Sequence, residues 1–378
     1  MPQKNYIGIG AIKNLAGYLR QNKVKKVFLV SGKKSYKLCG AKKILDPILK
    51  KYSVLNFTDF SSNPKLLAIE KGAKLFKKYD PDLVIAIGGG SAIDMAKAIN
   101  ILAVQDGNPR DYVLKKKEIT KSGKKLIAVP TTAGTGSEAT CFAVVYINKV
   151  KYSLKHKFIL PTCFIIDPRF TFNLNQKITA ETGADALAQA IESYWSVNST
   201  AESKKYAARA IRIILKNLYK VVNNPDQKSR LKMSRAANLS GRAINITETT
   251  ACHAISYPIT SYFGIAHGQA VVMTLSSLLN YNNLVSQADV LDKRGALYVK
   301  RVIKDIIKLL GAHNCQNAQE KIESILKGVG LATRFRELNI FREDLKIIFK
   351  NSFNPERMKN NPRLVTKKEL WKMLLNLL

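Results

Sequence analysis

The chain has 378 residues, 46% of them hydrophobic and 24% charged, and this composition excludes an intrinsically disordered protein. No apolar run reaches the roughly 18 residues that a membrane helix needs, and the first residues lack the apolar core of a signal peptide, so we expect a cytoplasmic protein with no membrane partner. The formal net charge of +35 favours anionic ligands, but the lysines are dispersed and no nucleic-acid-binding motif occurs, so we expect no specific nucleic-acid partner.

Short apolar runs alternate with amphipathic segments in the first half of the chain. We predict buried strands within KKVFLVSG (25–32), PDLVIAIGGG (81–90), KKLIAVPTTAGTGSEAT (124–140) and TCFIIDP (162–168). We predict helices over NPKLLAIEKGAKLFKKY (63–79), which opens with an Asn-Pro pair, and over SAIDMAKAINILAV (91–104). Strands that alternate with helices in this way are typical of a doubly wound parallel sheet.

From about residue 178 onward, long helical segments with few β-branched clusters replace the alternation. They are TAETGADALAQAIESYWS (179–196), ESKKYAARAIRIILKNLYKVV (202–222) and QKSRLKMSRAANLSGRAI (227–244), and the remainder also has helical patterning. A chain of this length commonly holds two domains. We therefore predict an α/β domain over residues 1–175 and an all-helical domain over residues 176–378.

Two glycine-rich loops follow predicted strands of the first domain. Backbone N–H groups and the helix dipole make a strand–GGGS–helix turn at 88–91 a place where phosphate can bind, although the GxGxxG fingerprint is absent and a tight turn also uses glycine. The second loop lies in PTTAGTGSEAT (130–140) and is rich in hydroxyl groups. Two such loops at the carboxyl ends of parallel strands favour a nucleotide that lies across the edge of the sheet.

Four motifs resemble the iron-containing, or group III metal-dependent, alcohol dehydrogenases. They are GGGSAIDMAKAI (88–99), PTTAGTGSEAT (130–140), GADALAQAIESYW (183–195) and the HAISY…HG pair (253–268), and their order and spacing fit this family over nearly the whole chain. The resemblance implies an NAD(P)-dependent alcohol dehydrogenase or aldehyde reductase with the dehydroquinate synthase-like fold. It also implies a dinucleotide in the first domain, a metal ion in the cleft between the two domains, and a homodimer.

The resemblance implies a metal site built from four positions. In the family an Asp and a His four residues apart on one helix bind the metal together with two later histidines, which fall on Asp185, His253 and His267 here. The fourth position is Gln189 instead of histidine. Its amide oxygen is a weak ligand, and the alternatives are a water in that place or a lost metal site. Imidazole and carboxylate ligands suit Fe(II) or Zn(II).

Tyr257 stands where many members of the family carry a further histidine that is thought to relay protons. A phenol ordinarily has a pKa near 10, so it needs a neighbouring charge or metal to pass a proton near neutrality. The alternative is a tyrosine that serves only in packing beside Pro258. We count Tyr257 with Asp185, His253 and His267 as candidate catalytic residues.

The resemblance also assigns the dinucleotide site. The residues that we expect to contact or support the cofactor are Gly32, Gly88, Gly89, Gly90, Ser91, Asp94, Thr131, Thr132, Thr135 and Lys151. Members of the family that prefer NAD usually place an Asp at the position of Gly32, and Lys33 and Lys34 follow it here. Because an acidic residue repels a 2′-phosphate and lysines attract one, we predict a preference for NADP(H) over NAD(H). The alternative is that both lysines are solvated loop residues.

The segment SGRAINITETTACH (240–253) carries the substrate prediction. It contains Arg242, Asn245, Thr247, Thr249 and Thr250, whereas common family members are small and apolar here. This run, together with Gln189, resembles the phosphonoacetaldehyde reductase-like members. We therefore predict a small polar or anionic aldehyde such as phosphonoacetaldehyde, bound by Arg242 and Asn245. The alternative is that Arg242 faces solvent on its helix.

Two other functions remain open at this stage. One is a glycerol dehydrogenase-like or other polyol dehydrogenase of the same superfamily, although the PTTAGTGSE loop and the HAISY–HG spacing fit it less well. The other belongs to a different class: a non-catalytic basic binding protein on a dehydrogenase scaffold.

Overall fold

The computed structural model describes residues 3–378, and the chain divides into two compact units, Met1–Leu174 and Asn175–Leu378. The strands are β1 (Lys4–Ile7), β2 (Lys26–Ser31), β3 (Ser53–Phe57), β4 (Leu83–Gly88), β5 (Lys125–Pro130), β6 (Phe142–Ile147), β7 (Val150–Lys155) and β8 (Cys163–Ile166). All of them belong to the first unit, together with helices α1 (Asn14–Gln21), α2 (Ser35–Leu38), α3 (Ala41–Leu49), α4 (Leu66–Tyr79), α5 (Gly90–Leu102) and α6 (Pro109–Val113).

A parallel sheet forms the centre of the first unit, with the strand order β1-β8-β5-β4-β2-β3 in the described residues. Alternate side chains of each strand point to opposite faces. Phe28 and Val30 of β2 therefore join one buried apolar cluster, whereas Val27 and Leu29 join a second cluster on the other face. Because both faces of the sheet are covered at its centre, the central strands β2, β4 and β5 contain continuous apolar runs, and the predicted doubly wound sheet is confirmed.

Three details of the first unit differ from the prediction. Helix α4 begins at Leu66 and not at the Asn-Pro pair, because Lys65 is still extended (φ −85°, ψ 141°) and forms a β-bridge with Tyr146. The antiparallel pair β6–β7 and the edge strand β3 were not predicted. Strand β3 is mostly exposed, so it lacks the apolar run by which the buried strands are recognised.

The second unit is helical throughout, as predicted. Its helices are α7 (Gln176–Trp195), α8 (Ala201–Asn223), α9 (Gln227–Thr247), α10 (Ala251–Phe263), α11 (His267–Val272), α12 (Leu275–Asn283), α13 (Ala296–Leu309), α14 (Cys315–Gly328), α15 (Leu345–Asn351), α16 (Pro355–Met358) and α17 (Lys367–Leu375). Asn175 caps the amino terminus of α7, and its side-chain oxygen accepts from the Ile178 N–H at 2.8 Å. Across residues 3–378, we find no helix with the length and apolarity of a membrane span.

Candidate active site

The two predicted nucleotide loops lie side by side in the first unit. They follow β4 and β5, which are paired so that Gly88 stands opposite Pro130. The Thr131 N–H donates to the Gly88 carbonyl at 3.0 Å. Helix α5 begins at Gly90, immediately after the first loop, so its free N–H groups and its positive dipole end lie at this edge of the sheet.

Close packing between these loops requires a glycine. A Cβ atom on Gly90 would lie only 2.7 Å from Cγ2 of Thr135, whereas a Cβ on Gly89 would be at an ordinary contact distance of 3.4 Å from the Thr132 side chain. The structure thus brings the predicted residues Gly88–Ser91, Thr131, Thr132 and Thr135 to one edge of the sheet. The Ser91 hydroxyl also accepts from the Asn63 N–H at 3.3 Å, which ties the loop to the segment before α4.

Asp94 on α5 anchors the second loop. Its carboxylate accepts from the Ser137 hydroxyl at 2.5 Å and from the Val144 N–H at 3.0 Å. Burial raises the pKa of Asp94, while the charge of Lys97 and the two hydrogen bonds oppose that rise. Lys97 itself is buried, and desolvation lowers its pKa to about 8. Lys97 also donates to the Ser137 hydroxyl and to the Phe142 carbonyl, so Asp94 and Lys97 together join α5, the second loop and β6 in one polar network.

Gly32 and Lys151 lie in different parts of the first unit. Gly32 directly follows β2 and lines a cavity of about 950 Å³ with Lys33, Tyr36 and Lys37. Lys151 is on β7, where it is paired with Tyr146. Its positive charge is among the groups that oppose the raised pKa of Asp94, so it lies within electrostatic range of that carboxylate.

Asp185, His253 and His267 converge in the second unit. They come from α7, from the first turn of α10 and from the first residue of α11, and one ligand atom of each lies within 4.8 Å of the others. The imidazole ring centroids are 5.4 Å apart, and Nε2 of His253 is 3.4 Å from Oδ1 of Asp185. A carboxylate and two imidazoles at this spacing are a donor set for Fe(II) or Zn(II).

Gly268 makes the approach of α11 to α7 possible. A Cβ atom at this position would lie 1.9 Å from the Glu181 carbonyl oxygen and 3.2 Å from Cβ of Asp185. No side chain fits into that space. The His-Gly dipeptide therefore has two parts with different tasks: His267 contributes an imidazole and Gly268 allows α11 to pack directly against the backbone of α7.

Gln189 lies one helical turn after Asp185 and is buried beside it. Its Nε2 donates to Oδ2 of Asp185 at 3.0 Å, and this hydrogen bond fixes the orientation of the amide. Its Oε1 is buried and has no hydrogen-bond partner in the described residues. A buried carbonyl oxygen without a donor is costly, and a cation beside it would remove that cost. This orphaned oxygen and the three neighbouring donors fit a metal ion.

Glu192 is a member of this cluster that the sequence analysis missed. It is fully buried on α7, two turns after Asp185, and its Oε2 is hydrogen-bonded to Nδ1 of His253. Burial alone would raise the pKa of Glu192, but His253 and the surrounding donors outweigh that effect and hold the pKa below its usual value. Burial likewise opposes protonation of His253, yet Glu192 and Asp185 raise its pKa to about 9. An acidic residue seven positions after Asp185, and so on the same face of the helix, was the available signal.

Tyr257 lies one turn after His253 on α10 and contacts a buried cation. The Arg357 Nε donates to the Tyr257 hydroxyl at 3.3 Å, and the Arg357 guanidinium is ion-paired with Glu248. Burial would lower the pKa of Arg357, but the neighbouring Tyr257 and Glu248 outweigh it and raise the pKa. Arg357 is thus a neighbouring positive charge of the kind that a proton-relaying phenol needs, and no sequence pattern pointed to it.

The predicted substrate residues lie on α9 and have intramolecular partners. The Arg242 Nε donates to Oδ1 of Asn238 at 3.0 Å, its guanidinium carbon is 5.9 Å from the centre of the Tyr206 ring, and Asn245 is half-buried three residues later. The Thr247 hydroxyl is 3.0 Å from that of Ser193. The Thr250 hydroxyl donates to Glu192 at 2.7 Å. Both hydroxyls therefore bond side chains of α7, and they are used in packing between helices.

Comparison with known proteins identifies the family. The profile of iron-containing alcohol dehydrogenases matches residues 2–168, and the profile of the C-terminal domain of the same family matches residues 179–378. The chain belongs to the iron-containing alcohol dehydrogenase family. An iron-containing alcohol dehydrogenase is an oxidoreductase that acts on CH–OH donors, and the family uses NAD(P) and a metal ion. This decides against the non-catalytic binding protein.

Several members of the iron-containing alcohol dehydrogenase family are similar to this chain. Long-chain-alcohol dehydrogenase 1 of Geobacillus thermodenitrificans is 34% identical over 74% of this chain and 72% of its own length. Phosphonoacetaldehyde reductase of Streptomyces viridochromogenes is 34% identical over 80% and 78%. The crystal structure of sulfoacetaldehyde reductase from Bifidobacterium kashiwanohense in complex with NAD+ is 30% identical and covers 100% of this chain and 97% of its own, with a TM-score of 0.87.

Proposed function

We propose that this iron-containing alcohol dehydrogenase is an NAD(P)H-linked reductase of small polar or anionic aldehydes, with phosphonoacetaldehyde as the model substrate. The observation that carries the reaction class is the convergence of Asp185, His253 and His267, whose ligand atoms lie within 4.8 Å of one another. These three residues would hold one Fe(II) or Zn(II) ion, and Oε1 of Gln189 is the candidate fourth donor. A bound divalent ion supplies a Lewis acid for the carbonyl oxygen of the substrate.

The dinucleotide belongs at the glycine-rich edge of the sheet. Gly88–Ser91 and the start of α5 offer backbone N–H groups to its pyrophosphate, and Thr131, Thr132 and Thr135 offer hydroxyls along it. Asp94 acts indirectly, because it fixes the second loop. When bound, the nicotinamide supplies the hydride. Lys33 lines the cavity beside Gly32, which supports a preference for the 2′-phosphate of NADP(H), and Lys151 is a candidate ribose contact.

Proton transfer is the task that we assign to Tyr257. Its hydroxyl accepts a hydrogen bond from Arg357, and a donated hydrogen bond from a cation stabilises the phenolate that remains after a proton has left. In the reducing direction, Tyr257 gives a proton to the alkoxide oxygen of the product, directly or through water. In the oxidising direction, the same oxygen accepts the proton of the alcohol.

The anionic substrate class is supported by charge and by relatives. The chain carries a net charge of +35, which favours anionic ligands, and two relatives are named for short aldehydes that bear a phosphonate or a sulfonate. Arg242 and Asn245 are the candidate contacts for the anionic group. A long-chain alcohol is the competing substrate, because the relative named for it has the same 34% identity as the phosphonoacetaldehyde reductase. Like the substrate, the homodimeric state is a proposal.

A substrate panel tests the proposal. Protein reconstituted separately with Fe(II) and Zn(II) is assayed with phosphonoacetaldehyde, a neutral aldehyde of the same length, a polyol and a long-chain alcohol, each with NADP(H) and NAD(H). We expect the highest kcat/KM for the phosphonate with NADPH. Equal kcat/KM for the neutral aldehyde would contradict the proposal of an anionic substrate. A higher kcat/KM for the polyol or the long-chain alcohol would identify that compound's class as the substrate instead.

Ligand variants test the metal site in the same assay. We expect Asp185→Ala and His267→Ala to weaken metal binding by at least about 100-fold and to abolish turnover, because each removes a ligand. His313→Ala is the matched control, since His313 is an exposed histidine in the same unit. Full metal content in either ligand variant, measured by elemental analysis, would contradict the site.

A further inference from the structure

Glu192 places a carboxylate in the interior of the second unit, on helix α7. A fully buried carboxylate is costly unless several donors compensate its charge. Its Oε1 accepts from the Thr250 hydroxyl at 2.7 Å and from the N–H groups of Thr250 at 3.2 Å and Cys252 at 2.9 Å. Its Oε2 is hydrogen-bonded to Nδ1 of His253. The two oxygens therefore have separate tasks.

The first oxygen, Oε1, caps the amino terminus of α10. This helix begins at Ala251, and the side chain of its own N-cap residue, Thr250, does not cap it. Oε1 of Glu192 takes over that task from the neighbouring helix, where the negative charge also complements the positive end of the dipole of α10. Because His253 lies in this first turn, the cap fixes the backbone that carries the imidazole.

The second oxygen, Oε2, fixes the imidazole ring itself. A carboxylate can only accept, so Nδ1 of His253 has to carry the proton, and Nε2 faces Oδ1 of Asp185 at 3.4 Å. The nitrogen that faces the Asp185–His267 cluster is then the one available to a cation. An acceptor behind a metal-binding imidazole fixes its tautomer and increases the basicity of the ligand nitrogen.

We propose that Glu192 is a positioning residue for metal binding: from α7 it caps α10 and forces His253 to present Nε2 to the ion. The inference rests on the metal centre of the proposed function. Helix α7 would then contribute to the site twice. Asp185 would bind the ion directly, and Glu192, two turns later, would orient the imidazole of His253.

Zinc binding by the full chain tests this role through Glu192→Gln. The amide has a single acceptor oxygen. If that oxygen keeps capping α10, the NH2 group faces Nδ1 of His253, and the imidazole proton has to move to Nε2. We expect the affinity for Zn²⁺, measured by competition with a chelator, to fall about 10- to 100-fold. Ser193→Ala is the control, because Ser193 is buried next to Glu192 but bonds Thr247 and not His253. We expect it to change the zinc affinity by less than about threefold.

A measurement on the unmodified protein does not depend on the variants folding. In the zinc complex, the ¹⁵N NMR signals of His253 should show a protonated Nδ1 and a zinc-bound Nε2. Zinc bound through Nδ1 would overturn the inference, and so would a Glu192→Gln variant whose zinc affinity stays within about threefold of the parent. If the parent protein bound no zinc and no iron, the metal centre of the proposed function would itself be wrong, which is a different outcome.

Discussion

At the scale of single residues, Gln189 shows how one substitution in a ligand set is accommodated. The Gln189 side chain lies one turn after Asp185 on the same face of α7. Its NH2 group donates a hydrogen bond of 3.0 Å to the Asp185 carboxylate. Within residues 3–378, its oxygen is buried and has no hydrogen-bond partner. In the metal site that we propose, the residue would support a ligand through its NH2 group and offer its oxygen as a weak donor.

Two variants of Gln189 separate these contributions. We expect Gln189→His to raise the Zn²⁺ affinity about tenfold, because an imidazole nitrogen is a stronger donor than an amide oxygen. We expect the nearly isosteric Gln189→Leu to lower the affinity several-fold, since Asp185 loses its hydrogen bond and the ion loses a donor. Chelator competition measures both. An unchanged affinity in Gln189→Leu would show that the amide neither binds the ion nor orients Asp185.

At the scale of elements, the site depends on how closely three helices approach. Helix α7 provides Asp185, α10 provides His253 and α11 provides His267, so small shifts of one helix separate the donors. The contact between α11 and α7 is so close at Gly268 that the Glu181 carbonyl occupies the space that a Cβ would need.

Gly268→Ala tests this contact. We expect the added methyl group to push α11 away from α7, to lower the melting temperature and to weaken zinc binding by about tenfold or more, since backbone atoms cannot yield as a flexible side chain can. Gly17→Ala in α1 is the matched control, because among residues 3–378 no atom other than its chain neighbours and its own helix backbone lies within 4 Å of its Cβ position. An alanine there should leave stability unchanged or raise it by about 0.5–1 kcal/mol. Equal behaviour of the two variants in differential scanning fluorimetry would refute the role of Gly268.

At the scale of the whole molecule, net charge is the dominant property. A charge of +35 produces a long-range positive potential that attracts both an anionic aldehyde and a dinucleotide. Salt screens this attraction over a Debye length of about 10 Å at 0.1 M. A neutral substrate of the same size does not experience this electrostatic attraction.

Salt therefore distinguishes the two substrate classes. Between about 20 and 300 mM NaCl, we expect KM for phosphonoacetaldehyde to rise several-fold, because screening removes the long-range attraction. KM for a neutral aldehyde of equal length should change by less than about twofold. Steady-state kinetics at saturating NADPH measure both values, so that salt effects on dinucleotide binding do not enter. The same salt response for both aldehydes would argue against an anion-binding site.

The sequence by itself determined the fold and pointed to the three residues that we propose as metal ligands. Buried strands such as β2, β4 and β5 contain continuous apolar runs because both faces of the sheet are covered, and such a run is visible without coordinates. Asp185, His253 and His267 were proposed from the resemblance of their motifs to those of the family. The exposed strand β3 and the β6–β7 pair were missed, because their stability comes from neighbours that a local pattern does not contain.

Only the tertiary structure decided which groups support those ligands. Glu192 meets His253 across 61 residues and Arg357 meets Tyr257 across 100 residues, so no local spacing connects either pair. Thr247 and Thr250 were expected to favour a polar substrate, yet the fold uses their hydroxyls against α7. The physical reason is that buried polar groups must find partners wherever the packed helices bring them, and packing follows from the whole chain and not from any one segment.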